Sequence, residues 1–186
     1  MQRFLPVLQT ILDKSTVIYH NAKFDLVSLQ TLGLETLGRR RFVCTMVLAH
    51  LVDENRPFAG KSLDSCSKYY LKDQKFKDEI SGFISNKRLE RALGDISPWE
   101  MLTPGVICEY AAKDADLTLR LYEHLSKLAK AENLGETWKH KMDFTHVLIE
   151  MEKNGIEIDV DLCNKMAEQG ESEMVRLTKE LGGLNA

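Results

Sequence analysis

Cysteine is scarce and its spacing is unpaired. Cys44, Cys66, Cys108 and Cys163 form no C-x-x-C, so a structural zinc site is not expected. Their neighbours are apolar or helical, which makes reduced thiols in a cytoplasmic protein the expectation. No run of about 18 apolar residues occurs, so no membrane span is expected. The opening stretch MQRFLPVLQTILDKS lacks a signal-peptide cleavage pattern and reads as an amphipathic helix. An excess of basic charge is also missing. Lys and Arg number 25 against 28 Asp and Glu, the net charge is −3 and the pI is near 6.0. A broad electrostatic footprint for nucleic acid is thereby excluded, and any such contact must be local or mediated by a metal. The one compact basic cluster, Arg39-Arg40-Arg41, reads as a solvated loop. No internal repeat or low-complexity segment is present.

What is there is a chain of 186 residues, 44% hydrophobic, enough for one domain or one domain with an appendage. Phe4 to Leu12 has a helical period, with Phe4, Leu5, Leu8, Ile11 and Leu12 on one side. Val17 to His20 is a short β-rich run and reads as a buried strand. Asn21 follows at a helix N-cap position, and the helix from Ala22 to Leu32 stops at Gly33. Arg41 to Cys44 reads as a second strand, Thr45 to Val52 as a helix, Asp53 to Gly60 as a loop and Ser62 to Leu71 as a helix. A charged connection, Lys72 to Gly82, leads to a short helix at Ser85 to Leu93. Thr103-Pro104 opens a long helix that runs to Glu132. Strands alternating with helices imply an α/β fold with a partly parallel sheet.

Beyond Glu132 the character changes, and a boundary is placed at 134/135. Trp138, Met142, Thr145, Ile149 and Glu152 are spaced for a second long helix, with Phe144, Val147, Leu148 and Met151 as its apolar side. Asn154-Gly155 stops it. Ile156-Glu157-Ile158 alternates as a short strand would. Asp159 or Asp161 caps a last, polar helix reaching Leu181, too polar to be a core element by itself.

The stretch Tyr110-Ala111-Ala112-Lys113-Asp114 carries the chemistry. Tyr110 and Asp114, four apart on a helix, share one face with Ile107, Ala111, Leu117, Leu121, Leu125 and Leu128. A carboxylate within an apolar stripe is costly without a partner such as a metal, and a phenol beside it can orient a water. A packed aromatic and a structural acid are the plainer alternative. Asp116 faces the other way, with Lys113, Arg120, Glu123 and Lys127, as solvated surface. Asp25 falls in the first turn of a helix leaving a strand, where ligands of open α/β sheets collect. An acid there also simply suits the helix dipole.

Together, a strand followed by H-N-x-x-F-D and, later, E-Y-A-A-x-D-A resembles the 3′–5′ exonuclease superfamily built on four acidic residues and a tyrosine. Asn21 and Asp25 match its N-x-x-x-D motif, and Tyr110 and Asp114 its Y-x-x-x-D motif. Cys44 to Ala49 and Ser62 to Ser65 resemble the connecting segments. Phe144 to Asp159 is similar to the passage from exonuclease domain into thumb in family A DNA polymerases (DNA polymerase I type). The resemblance implies a ribonuclease H-like exonuclease fold over 1–134 and connecting helices over 135–186. It implies two-metal hydrolysis of single-stranded DNA 3′ ends with Mg²⁺ or Mn²⁺. Asp114 would be a direct metal ligand, Asp25 a ligand through water, and Tyr110 would aim the attacking water. Asn21 would cap its helix and meet the terminal nucleotide, and Phe76 would stack on a base. The family's D-x-E motif occurs nowhere in the chain, which reads as a polymerase piece lacking the first strands of the domain. A non-catalytic nucleic-acid-binding scaffold and a ribonuclease D-like RNA-processing enzyme are the alternatives.

Overall fold

A computed structural model of the chain describes residues 4–36, 42–54, 60–73, 83, 94 and 96–183. Expectations for Arg39 to Arg41, Phe76 and the helix at Ser85 to Leu93 lie outside the described residues. The rest is a mostly helical α/β structure with a small parallel sheet. Residues up to Ile149 form one compact unit and those from Glu150 a second.

In the first unit, α1 (Leu5–Lys14) leads into β1 (Val17–Tyr19), then α2 (Ala22–Thr31), β2 (Phe42–Cys44), α3 (Thr45–Val52) and α4 (Leu63–Cys66). The strands run parallel, with Val17 opposite Phe42, Ile18 opposite Val43 and Tyr19 opposite Cys44. A 3₁₀ turn, Pro98–Met101, precedes the long α5 (Pro104–Ala131), and α6 (Gly135–Asn154) follows. Two helix ends show why the chain turns where it does. Gly33, at φ 85°, lets its amide donate to Gln30 O and that of Leu34 to Leu29 O. These bonds satisfy the last carbonyls of α2, with Leu34 buried over the turn. Asn133, at φ 56°, repeats the arrangement after α5, its amide on Lys130 O and that of Leu134 on Ala129 O.

The core has two parts. One joins Leu48 and Ala49 of α3, Leu63 and Cys66 of α4, and Leu117, Leu121, Leu125 and Ala129 of α5. The other joins Ala22 and Leu26 of α2 with Phe42, Cys44 and Ile149. Trp138 packs against the first and Met142 against the second, so α6 spans both.

Several expectations are corrected. Phe4 and Ile11 are exposed, because α1 buries none of its residues and half-covers Leu5, Leu8 and Leu12 instead. The segment after Ser62 is not one α-helix: after α4 it widens into a π-turn, Ser67–Leu71. On α5 the inward stripe holds from Leu117 onward, but Ala111 is exposed. On α6 the covered face is Trp138, Met142, Thr145 and Ile149, while Phe144, Val147 and Met151 are exposed. Asp116 is on the exposed face as expected, yet not merely solvated. Arg120 donates to Asp73 at 2.7 Å and Asp116 at 3.2 Å, and Lys113 to Asp73 at 3.1 Å. These carboxylates, Asp73 foremost, hold the Arg120 proton more tightly than usual.

In the second unit, residues 156–158 form no strand, since no neighbouring strand pairs with them among the described residues, and Ile156 is 91% exposed. Asp159, rather than Asp161, caps the last helix, α7 (Val160–Gly183), its Oδ1 accepting from Leu162 N at 2.9 Å. No helix among the described residues is long and apolar enough to cross a membrane.

Candidate functional site

The parallel sheet ends at Tyr19 and Cys44, and the chain leaves it in two sharp turns. Asn21 takes the left-handed conformation, φ 72° and ψ 55°, a region that asparagine tolerates better than most residues. Its side chain makes no capping bond, contrary to the expectation from its position. The N-terminus of α2 is instead tied down by the backbone: Ala22 N donates to Cys44 Sγ at 3.5 Å and Phe24 N to Asn21 O at 3.0 Å. The Asn21 side chain is thereby spared for a cavity of about 440 Å³, which Tyr19, His20, Asp25, Asp114 and Thr118 also line. Met46, Ser62 and Leu63 form further wall.

Asn21, Asp25 and Asp114 are thus brought together, from the start of α2 just past β1 and from α5. Tyr110 is one turn before Asp114 but is not among the lining residues; its ring packs edge-on against Trp99, centroids 5.6 Å apart. Asp114 is half-buried, with its Oδ1 shielded from solvent.

His20 is a site residue that the sequence reading missed. Its Nδ1 is 2.8 Å from Thr45 Oγ1 and its Nε2 is 2.8 Å from Lys61 O. The carbonyl can only accept, so Nε2 carries the proton and the ring is held from both sides. Thr45 Oγ1 also lies 3.1 Å from Tyr19 O, and its single proton serves either that carbonyl or Nδ1. The signal was there in the sequence, since a histidine directly after a strand stands at the carboxyl end of a sheet.

Electrostatics distinguish Asp25. Burial pushes its carboxyl up to about 6, even though the N-terminus of α2 favours the charged form. Burial, and then the Asp25 charge, push the Tyr19 phenol up to about 12. A carboxyl raised in this way binds a proton in the fold that it has lost in the unfolded chain. Stability therefore falls as pH rises from about 4 to about 6, and the full cost remains above that window. The shift would amount to about 3 kcal/mol for a sealed group, and screening of this half-exposed one reduces it to about 1 kcal/mol. Asp25→Asn is expected to raise the melting temperature at pH 8 in chelator by roughly 2–4 °C. The gain should shrink towards pH 4; an equal gain at both pH values would show that burial of the charge is not its source.

No group of three or more His, Cys, Asp or Glu side chains suited to a metal gathers among the described residues. Two carboxylates do share the cavity, and Mg²⁺ is commonly held by one or two carboxylates with waters and substrate phosphate. The donor set therefore fits one such ion.

Comparison with known proteins adds a family. A family model described as 3′–5′ exonuclease matches residues 1–130. DNA polymerase I of Borreliella burgdorferi is 32% identical over 148 residues, 77% of this chain and 14% of that protein. The DNA polymerase of Escherichia phage T5 is 32% identical over 167 residues, 83% of this chain and 19% of the relative. DNA polymerase DpoZ of Salmonella phage PMBT28 is 28% identical over 151 residues, 80% of this chain and 23% of its own length. The chain spans less than a quarter of each of these relatives.

Proposed function

Because this chain belongs to the 3′–5′ exonuclease domain family of family A DNA polymerases, we propose that its cavity binds the 3′ end of single-stranded DNA and removes terminal nucleotides. The observation that carries this reading is the convergence of Asn21, Asp25 and Asp114 on one cavity. Asp114 and, through water, Asp25 are the residues that would hold a divalent ion, Mg²⁺ or Mn²⁺. Such an ion neutralises charge on the phosphodiester and acidifies water when bound. A two-metal site needs more negative charge than these two carboxylates provide.

The chain's own side chains do the rest. His20, clamped between Thr45 and Lys61, presents a fixed edge to the terminal nucleotide, with Asn21 beside it. Tyr110, one turn before Asp114, would aim the attacking water once its ring turns from Trp99 towards the cavity. Phe76 would stack on a base of the strand. The reading carries with it a ribonuclease H-like fold for residues 1–134, with 135–186 as helices leading towards a polymerase domain. The family match ending at residue 130 supports that division, although α6 packs with the first unit and the break in contacts comes at Ile149. A larger polymerase would be the partner. The four cysteines, none of them in a disulfide, suit the cytoplasm.

The test is to incubate a 5′-labelled single-stranded oligonucleotide with this chain in Mg²⁺ or Mn²⁺. A ladder of 3′-shortened products is expected. An unshortened strand would overturn the catalytic reading in favour of a scaffold that binds DNA without cutting it, the reading favoured by a site with two carboxylates among the described residues. Faster trimming of RNA than DNA would point to RNA processing.

A further inference from the structure

A second cavity, of about 350 Å³, lies between α3 and α6. Its apolar wall includes Met46, Leu148 and Phe144, the last 51% exposed. Its polar groups include His50, Lys61 and Lys141, and among the described residues no carboxylate lines it. In a protein of net charge −3, a hollow with only basic ionisable groups selects an anion. An aromatic face beside those groups selects an anion that also carries a flat apolar part.

The hollow adjoins the carboxylate cavity across a shared wall residue. Met46 lines both. Lys61 links them covalently: its carbonyl holds His20 in the first, while its side chain reaches the second and donates to Asp53 O at 2.8 Å. That bond uses one of the three ammonium protons and leaves two for a ligand.

Resting on the exonuclease reading, we propose that this second cavity is a subsite for the nucleotides preceding the 3′ end. Backbone phosphate sits against Lys61 and Lys141, and a base lies on Phe144. The two cavities then divide the strand. Carboxylates surround the end to be processed, and cations hold the part that stays intact. The exposed phenylalanine of α6 acquires a partner, and contact with DNA is local, as the overall charge demands.

The test is binding of a 5′-fluorescein oligothymidylate, read by anisotropy in EDTA so that no hydrolysis occurs. Lys141→Glu and Phe144→Ala are each expected to weaken binding about tenfold. Lys141→Glu should also reduce the slope of log K against log salt by about 0.7, one single-strand phosphate contact. A thymidine dinucleotide, which fills only the first cavity, should bind all forms alike. Oligothymidylate binding unchanged in Lys141→Glu would overturn the subsite, as would a wild type that binds no strand. Lys141 is exposed, so this variant decides the matter even if Phe144→Ala lowers the melting temperature. If strand binding falls as expected while the wild type trims nothing, the nuclease reading fails and the subsite stands. If trimming proceeds and both variants bind as wild type, only the subsite fails.

Discussion

Asp114→Ala should abolish metal-dependent trimming, lowering the rate by more than about 100-fold, the scale at which loss of a single charge-stabilising group is felt. The same substitution should remove any thermal stabilisation by Mn²⁺. An ion present at about 100 times its dissociation constant adds about 2.7 kcal/mol to the folded state. For a chain of this length that is a rise of roughly 5–10 °C in melting temperature. Asp114→Ala should show almost none of it. In chelator the substitution should leave the melting temperature close to that of the wild type, because the half-buried Asp114 lies outside the buried cluster that holds α5. The two conditions separate the roles. A loss of activity together with a lowered melting temperature in chelator would make Asp114 a structural residue. Activity retained in the variant would show that the cavity's chemistry does not pass through α5.

The same helix shows how far the sequence could be read. Leu117, Leu121 and Leu125 recur at four-residue spacing between polar residues, so only one face could turn inward, and it does. Helix α3, Thr45–Val52, was legible to the residue because its strand-to-helix change and polar stop are abrupt. On α6 the pattern could not choose, because Trp138–Met142–Ile149 and Phe144–Val147–Met151 are both apolar lines. Tertiary packing picked the first, against Phe42 and the α5 core. Ile156 and Ile158 alternate as a strand does, but a strand exists only where another offers its hydrogen bonds. Asn21 shows the limit at the site. Its position at the helix start was plain, but the left-handed turn there goes with Ala22 N bonding Cys44 Sγ, a contact across 22 positions. The Asp73 contacts with α5 likewise join residues 40 and 47 positions apart.

Leu121→Ala should be the most damaging substitution outside the site, costing about 3–5 kcal/mol. Leu121 is 0% exposed and belongs to the cluster that locks α5 to α3 and α4. Alanine is at least as good a helix former as leucine, so α5 itself is not weakened. What is lost is burial and close packing, and the surrounding Leu48, Leu117 and Leu125 are too constrained by their own contacts to refill the space. Leu119→Ala supplies the control. That side chain is 50% exposed, two positions earlier on the same helix, and its removal should change stability by no more than about 0.5 kcal/mol. Domains of this kind keep about 5–15 kcal/mol in total, so Leu121→Ala removes a large share and should lower the melting temperature by roughly 10 °C or more. α5 also carries Asp114, so the loss reaches the site. Trimming by Leu121→Ala should track the folded fraction and recover on cooling, whereas Asp114→Ala should stay inactive at every temperature. Equal melting temperatures for Leu121→Ala and Leu119→Ala would mean that the α3–α5 contact is not where the fold is held.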